Sequence, residues 1–338
     1  MKDLVRRNTD SGEQPLSRKI LGLFLEKRGE VVSGEEMSAE LKVSRTAVWK
    51  HVRSLRELGC RIDAVPSRGY RLVAAPDLLI PEVITAGLKS ARIGRNLVCF
   101  RETGSTNETA FKLAEEGAED GTVVVAETQR RGKGRLGRQW ESPAGVNLYC
   151  SVILRPPILP ARAAQMTFLS SVAVARAIAA ETSLRPFIKW PNDLLINGKK
   201  VAGLLNEMSA ETEKVNFIVL GIGVNINMKR EQFPGDLRHP ATSLFLETGK
   251  PVNRADFTRA LLEALDLLYG AYLEHGYGPV REEWLARCNF LGKQVRISFH
   301  DNESTGKAKG IDEDGALLVE LPDGRVERVL AGDVTILQ

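Results

Sequence analysis

Apolar and polar positions alternate with three different rhythms along the chain. In the N-terminal stretch the period is helical. Ile20, Leu21, Phe24 and Leu25 share one face of a helix that Ser17 is placed to cap and Gly29 to end. Ser33 and Glu36 have capping-box spacing and predict a short second helix through Met37 to Leu41. After the turn Lys42-Val43-Ser44, Ser44 is placed to cap a third helix, Arg45 to Leu58, stopped by Gly59. Val48, Val52 and Leu55 recur at i, i+4 and i+7 as its buried stripe, leaving Arg45, Thr46, Lys50 and Arg53 mostly outside it. Trp49 borders the stripe, and packing into the core is expected of it. Two short strands follow, Arg61–Val65 and Tyr70–Val73, joined by Pro66-Ser67-Arg68-Gly69.

Pro76 and Pro81 bracket a linker, after which strand and helix patterns alternate. Strands are expected at Leu97–Arg101, Thr122–Glu127, Asn147–Leu154 and Phe217–Asn227, and helices at Asn107–Glu116, Arg162–Thr182 and Arg254–His275. Leu194–Ile196 and Lys200–Glu207 read as a hairpin across Asn197-Gly198, the dipeptide favoured in type I′ turns. From Leu291 onward, short β segments alternate with turns such as Asp314-Gly315 and Asp323-Gly324, the rhythm of a small closed barrel. The pattern predicts an α+β multidomain chain: a winged helix-turn-helix over residues 1–76, a mixed-sheet body over 77–288, and a small closed β-barrel over 289–338.

Composition adds little until it is divided along the chain. With 43% hydrophobic and 27% charged residues the protein is ordinary globular material. The longest uncharged apolar stretch, Ala163 to Ala175, is too short to cross a bilayer, and Met1 to Ser17 lacks an apolar signal region, so no membrane partner and a cytoplasmic location are expected. Cys60, Cys99, Cys150 and Cys288 form no CxxC pair, and His51, His239, His275 and His300 have no ligand spacing; no structural metal site is expected. The net charge of +4 is concentrated. Met1 to Pro76 carries 15 Lys/Arg against 10 Asp/Glu, and Ser44 to Arg71 alone carries 7 against 2. A positive patch on a near-neutral body suggests one polyanion-binding module. In that reading the third helix enters the major groove, with Ser44, Arg45, Thr46, Lys50 and Arg53 on bases and phosphates and Arg68 at the wing tip. The plainer alternative is a solvated charged helix.

Within the body, Gly132, Gly134 and Gly137 match GxGxxG, but no helix pattern follows them, which counts against a dinucleotide fold. The absence of GK[ST] excludes a Walker loop. What remains is a loop with five cations between Arg130 and Arg138, whose glycines allow close backbone approach to an anion. Such a loop is expected to fold over a phosphate or acyl-phosphate. Lys189-Trp190-Pro191-Asn192-Asp193 precedes Lys199-Lys200; alternation sends these two lysines to opposite faces, and one turned inward suits a carboxylate or α-phosphate. Gly221 to Asn227 is a strand with little side-chain bulk, fit for a ligand lying flat. Ser105 and Glu108 again have capping-box spacing, which by itself explains Gly104–Glu108 as a helix start.

Four segments in this order, GSTN at Gly104–Asn107, GKGRLGRQW at Gly132–Trp140, KWPNDLLINGKKVAG at Lys189–Gly203 and GIGVNIN at Gly221–Asn227, resemble the bifunctional biotin protein ligase/biotin operon repressor family over nearly the whole chain. The resemblance implies that residues 77–288 form the catalytic domain and residues 289–338 an SH3-like barrel, and that Ser105, Thr106, Asn107, Gln129, Lys133, Gly134, Arg135 and Lys200 bind biotin. It implies that Arg138, Trp140, Lys189, Asn192 and Asn225 bind ATP or the adenylate, and that Lys133, Arg135 and Lys200 stabilise the reacting phosphate together with Mg²⁺. The implied partners are a biotin carboxyl carrier protein domain, operator DNA, and a second copy in a homodimer promoted by biotinyl-adenylate. Lys133 stands where the family more often has Arg, and Leu136 where some relatives carry a further Arg. A ligand-sensing repressor with lost activity, and a ligase for lipoate or octanoate, are the competing readings.

Overall fold

The computed structural model describes residues 4–8, 16–27, 29–235, 237, 239–299 and 302–337; His300 and most of the polar N-terminal segment lie outside them. Strand β1 (Leu4–Asn8) precedes the head, whose elements are α1 (Leu16–Glu26), β2 (Val31–Val32), α2 (Gly34–Leu41), α3 (Arg45–Glu57), β3 (Arg61–Val65) and β4 (Gly69–Ala74). Helix α1 already includes Ser17, so that residue is not its cap. The other two caps form as expected. Ser33 Oγ accepts from Glu36 N–H at 2.9 Å and Ser44 Oγ from Ala47 N–H at 3.2 Å. The wing is a three-stranded sheet in the order β2-β4-β3. The two-residue strand β2 escapes a period-two pattern, yet it fixes the wing: a Cβ on Gly69 would stand 2.2 Å from the Val32 carbonyl oxygen.

The body contains α4 (Pro81–Ile84), β5 (Leu97–Phe100), α5 (Thr106–Glu115), β6 (Val123–Ala126), β7 (Leu148–Leu154), α6 (Ala164–Thr182), β8 (Phe187–Lys189), β9 (Asp193–Ile196), β10 (Lys199–Ala210), β11 (Val215–Val224), α7 (Leu244–Thr248), α8 (Arg254–His275) and α9 (Gly278–Ala286). Its sheet runs β1-β5-β6-β7-β11-β10-β9-β8, with β5 and β6 parallel and the remaining pairs antiparallel. This is the mixed sheet of an α+β fold. Every residue of β7 is buried, as a strand covered on both faces requires. The β9–β10 hairpin turns at Asn197 and Gly198, with φ of 50° and 75°, the two positive values a type I′ turn needs.

Helix α6 corrects the estimate made from its apolar run. With its preceding turn, Pro160–Thr182 is long and apolar enough to cross a bilayer by length and composition, but 72% of that stretch is buried inside the fold. It is a core helix, apolar on most sides because α8, α9 and the sheet surround it.

The C-terminal unit comprises β12 (Gln294–Phe299), β13 (Asn302–Ile311), β14 (Leu317–Glu320), β15 (Val326–Val329) and β16 (Asp333–Ile336), an antiparallel sheet in the order β15-β14-β13-β12-β16. Strand β13 is polar and glycine-bearing, so no apolar alternation announces it. The turn at Gly315 docks this unit on the body. Its carbonyl accepts from Trp190 Nε1 at 3.1 Å, and a Cβ there would stand 2.2 Å from Phe168. Gln165 Nε2 donates to the Glu313 carbonyl at 2.6 Å.

Candidate functional site

Where α5 begins, the sheet presents a floor of glycines. Gly203 of β10 and Gly223 of β11 are register partners, and Gly221 lies two residues along the same face. Each lets a side chain approach closer than any Cβ permits. Asn107 Oδ1 occupies the space over Gly221, where a Cβ would stand 2.2 Å from it; Trp140 covers Gly223 and Gly203, at 2.6 and 2.8 Å.

The start of α5 differs from the capping box expected of Ser105 and Glu108. Ser105 is buried and its side chain caps nothing. Gln129 Oε1 does that work, accepting from Thr106 N–H at 2.8 Å and Thr106 Oγ1 at 3.1 Å, while Glu108 turns to the loop cations. Ser151 Oγ bonds Thr106 Oγ1 at 2.8 Å and Asn107 Oδ1 at 2.6 Å, and Asn107 Nδ2 donates to Glu207 at 2.7 Å. A polar network fixes the wall of the cavity with Ser105 facing in.

The glycine- and cation-rich loop closes as a tight hairpin above this wall. Gly134 N–H donates to Arg138 O at 2.7 Å, Trp140 N–H to Gly132 O at 2.9 Å, and Lys133 bridges Gln139. Leu136 and Gly137 form its tip with φ of 55° and 72°. Leu136 holds a left-handed conformation rare for a leucine and is exposed there. Four of the five loop cations meet carboxylates. Lys133 Nζ lies 3.3 Å from Glu108 and 3.7 Å from Glu207, Arg131 lies 3.5 Å from Glu108, and Arg130 is bonded to Glu102 at 2.8 Å. Arg138 is paired with Asp333 of the C-terminal unit. Arg135 reaches Asn192 Oδ1 at 3.3 Å and the Gly332 carbonyl at 3.5 Å. Burial pushes the Arg135 guanidinium below its ordinary pKa, although Asp333 and Asp193 oppose this. A water-excluded cation of this kind attracts anions strongly.

Lys200 faces the cavity and Lys199 the opposite side, where it meets Glu247 at 3.4 Å, as alternation predicts. A register break between Lys200 and Ala202 sets the lysine at the floor's edge. Its Nζ lies 2.6 Å from Asp193 Oδ1, at an angle unsuited to a hydrogen bond, and 5.4 Å from the centre of the Trp140 ring. Trp140 Nε1 is buried with no hydrogen-bond partner, an unmet donor beside the glycine floor.

Of the residues expected at the ligand site, Ser105, Thr106, Asn107 and Gln129 line the cavity on one side, Lys133, Gly134, Arg135, Arg138 and Trp140 on the lid, and Asn192 and Lys200 opposite. Two stand apart. Asn225 is 5% exposed and spends its amide on the Thr242 carbonyl at 3.0 Å, behind the cavity wall. Lys189 does not line the cavity; it is half-buried beside Asp193, and desolvation lowers its pKa. Four carboxylates each pair with a cation of the site, a role not legible in the sequence: Glu108, which spacing marks only as a capping partner, and Asp193, Glu207 and Asp333, which no spacing rule marks.

In the head, Ser44, Arg45, Thr46, Lys50, Arg53 and Arg68 are all exposed; Arg45, Thr46, Lys50 and Arg53 share one face of α3, Ser44 is its N-cap and Arg68 lies in the wing turn. Arg45 and Arg53 bond Glu35 and Glu57 at 2.8 and 3.2 Å. Trp49 corrects the expectation that it packs inward: it is 53% exposed. At about 100° per residue it falls outside the arc of Val48, Val52 and Leu55, among the cations.

Comparison with known proteins agrees with this division of the chain. Residues 99–225 match the biotin/lipoate A/B protein ligase family, residues 17–71 an HTH domain, and residues 290–337 the biotin protein ligase C terminal domain. The chain is 38% identical over 321 residues to the bifunctional ligase/repressor BirA of Bacillus spizizenii, covering 95% of this chain and 98% of that one. It is 38% identical over 228 residues to the biotin--[acetyl-CoA-carboxylase] ligase of Paracoccus denitrificans, covering 66% of this chain and 93% of that one. The solved biotin protein ligase from Aquifex aeolicus in complex with biotin and ATP is similar with a TM-score of 0.61 and 29% identity, over 72% of this chain and 98% of its own. With a relative of this identity matched over almost its full length, the chain belongs to the bifunctional biotin ligase/repressor family.

Proposed function

We propose that the cavity binds biotin and ATP, forms biotinyl-5′-AMP, and passes the biotinyl group to a lysine of a carboxylase biotin-carrier domain, while the head represses transcription from operator DNA. The working units of that scheme are residues 1–76, apart from β1, which joins the body sheet, and residues 77–288 and 289–338. The observation that carries it is Lys200, the inward lysine of a β hairpin, standing at the edge of a glycine floor beneath a cationic lid.

In the first step the biotin carboxylate oxygen attacks the α-phosphorus of ATP and the bond to the β-phosphate oxygen breaks, releasing pyrophosphate. Lys200 leaves Asp193 to hold the carboxylate and then the α-phosphate; Arg135 and Lys133 meet the negative charge spread over the phosphorus oxygens. Gln129, Thr106, Asn107 and Ser105 supply a fixed polar wall suited to a ureido ring, and Gly134 lets the lid backbone approach it. Trp140, with its unmet Nε1 donor, and Arg138 and Asn192 border the nucleotide; Lys189 and Asn225 act from behind, through charge and by bracing the wall. In the second step a neutral lysine amine attacks the acyl carbon, AMP leaves, and the proton goes to solvent. No nucleophilic side chain of this chain is consumed, and the closed lid keeps water from the mixed anhydride.

Mg²⁺ fits as a companion of the triphosphate. Two carboxylates, Asp193 and Asp333, border the cavity, and among the described residues no cluster of three or more His, Cys, Asp or Glu is placed to hold a resident metal. When bound, the ion supplies charge neutralisation on phosphate oxygens. A single helix-turn-helix head reads one half-site, which supports a homodimer promoted by biotinyl-adenylate, and a carboxylase substrate with DNA as second partner fits a cytoplasmic chain.

The test is incubation of the full chain with biotin, ATP, Mg²⁺ and a purified biotin carrier domain. The expected product is a carrier heavier by one biotinyl group, with release of AMP and pyrophosphate. No transfer to an active carrier overturns the enzyme reading, and transfer of lipoate or octanoate in place of biotin overturns the substrate.

A further inference from the structure

The face of α3 that carries the cations carries an apolar surface as well. Placed at about 100° per residue, Arg45, Trp49, Arg53, Thr46 and Lys50 follow one another within an arc of about 140°, with the indole between two guanidiniums. All five are exposed. A separate arc on the other side of Arg45 holds Val48, Val52 and Leu55, each 1% exposed, and the indole lies outside it. An exposed tryptophan in water leaves a large apolar surface uncovered, and here its surroundings are cationic. Ser44 to Arg71 carries 7 Lys/Arg against 2 Asp/Glu, a charge that seats a helix on phosphates and turns this face toward base edges.

Phosphate-binding cations position a helix without reading sequence; sequence is read by hydrogen bonds and apolar contacts at base edges. In the major groove the apolar feature is the thymine C5-methyl group. We propose that Trp49 is a specificity-determining residue of the head, whose indole packs against a thymine methyl in each half-site. The proposal rests on the DNA-reading role of the head and deepens it. It separates the face into two tasks: Lys50 and Arg53 hold the backbone, and Trp49 selects the base. The ion pairs of Arg45 with Glu35 and of Arg53 with Glu57 are solvent-exposed and yield to phosphates at little cost.

A duplex recovered from a random pool by the full-length chain, with biotin and ATP present, is the probe. Each thymine is replaced in turn by uracil, which removes one methyl group and leaves the base-pairing edge unchanged. The expected result is one position per half-site at which uracil weakens binding by about tenfold, the cost of a single base-pair mismatch. In Trp49→Ala, binding to the unsubstituted duplex falls by about the same factor, the uracil effect at that position disappears, and the salt dependence is unchanged. Uracil sensitivity that survives in Trp49→Ala, or a variant that binds as tightly as the parent, overturns the proposal. A folding defect is separable by optics. Trp190 and Trp284 are buried, so iodide quenching of tryptophan emission reports Trp49, with Trp140 held constant by ligand; duplex is expected to protect it. Unaltered quenching on DNA binding overturns the proposal too. If no duplex is enriched and neither protein binds DNA in a salt-dependent way, the head itself is not a DNA reader, a different failure.

Discussion

Gly223 lies so close beneath Trp140 that a Cβ added to it would stand 2.6 Å from the indole Cε2. The indole rests on the backbone of β11, and the Lys200 ammonium stands over the ring. Position and charge in the cavity therefore depend on the absence of one methyl group.

Gly223→Ala is expected to displace the indole and slow adenylate formation. Pyrophosphate release should fall at least tenfold, about 1.4 kcal/mol in the barrier, while thermal unfolding changes little because the strand keeps its pairing. An unchanged rate would mean that Trp140 is not a wall of the nucleotide site.

Arg135 is tied to Asn192 and to the Gly332 carbonyl, so the lid spans the body and the C-terminal unit. Arg135→Ala is expected to speed escape of the adenylate by about tenfold, the loss of one charge-assisted contact, and to weaken biotin alone much less. Dissociation of labelled adenylate compared with equilibrium biotin binding checks this.

DNA binding should fall steeply with salt. The double change Lys50→Ala and Arg53→Ala should lower the slope of log affinity against log salt by about two, one for each lost phosphate contact. Filter binding over a salt series measures it.

Asp266 accepts backbone N–H bonds from Ala91, Arg92 and Ile93 at 2.8, 2.9 and 2.8 Å. Burial pushes its carboxyl up, but these donors outweigh that and hold it below the usual carboxylate range. A depressed folded pKa stabilises the fold fully above the unfolded value of about 3.9 and loses that contribution as pH falls through the folded value. Asp266→Asn should lower the urea midpoint at neutral pH and converge with the parent in acid, once the pH has fallen through the depressed folded value.

Much of the molecule was legible in advance because its local signals agree with its tertiary context. Helix α8 begins and ends where its apolar period does, and Ser33 and Ser44 cap as their spacing requires. Failures have physical causes. Ser105 sits at capping spacing, but Gln129 arrives from 23 residues away to cap the helix in its place, and a single strand of text holds no sign of that. Trp49 is a large apolar residue next to an apolar stripe in the sequence, but the helical turn carries it out of that stripe and into solvent. Strand β13 has too few apolar side chains to show a period, and β2 is too short. Eleven of thirteen expected ligand residues meet at one cavity because glycines and cations leave sequence marks, whereas the carboxylates that pair with them come from four separate elements and nothing in their spacing announces the pairing.

Arg254, 2% exposed, bonds the Asp77 carboxylate at 3.1 Å, the Asp77 carbonyl, and Glu127, two residues before Gln129. One guanidinium thus fastens the end of the interdomain linker to the strand that carries the cavity wall. Separating either carboxylate would strand a buried charge, at about 3–5 kcal/mol. On its C-terminal side, any swivelling of the head must then pivot upstream of Asp77, because beyond that point the chain already moves with the cavity wall; on its N-terminal side, β1 is itself a strand of the body sheet. The axle and the cavity wall are bolted to the same residue.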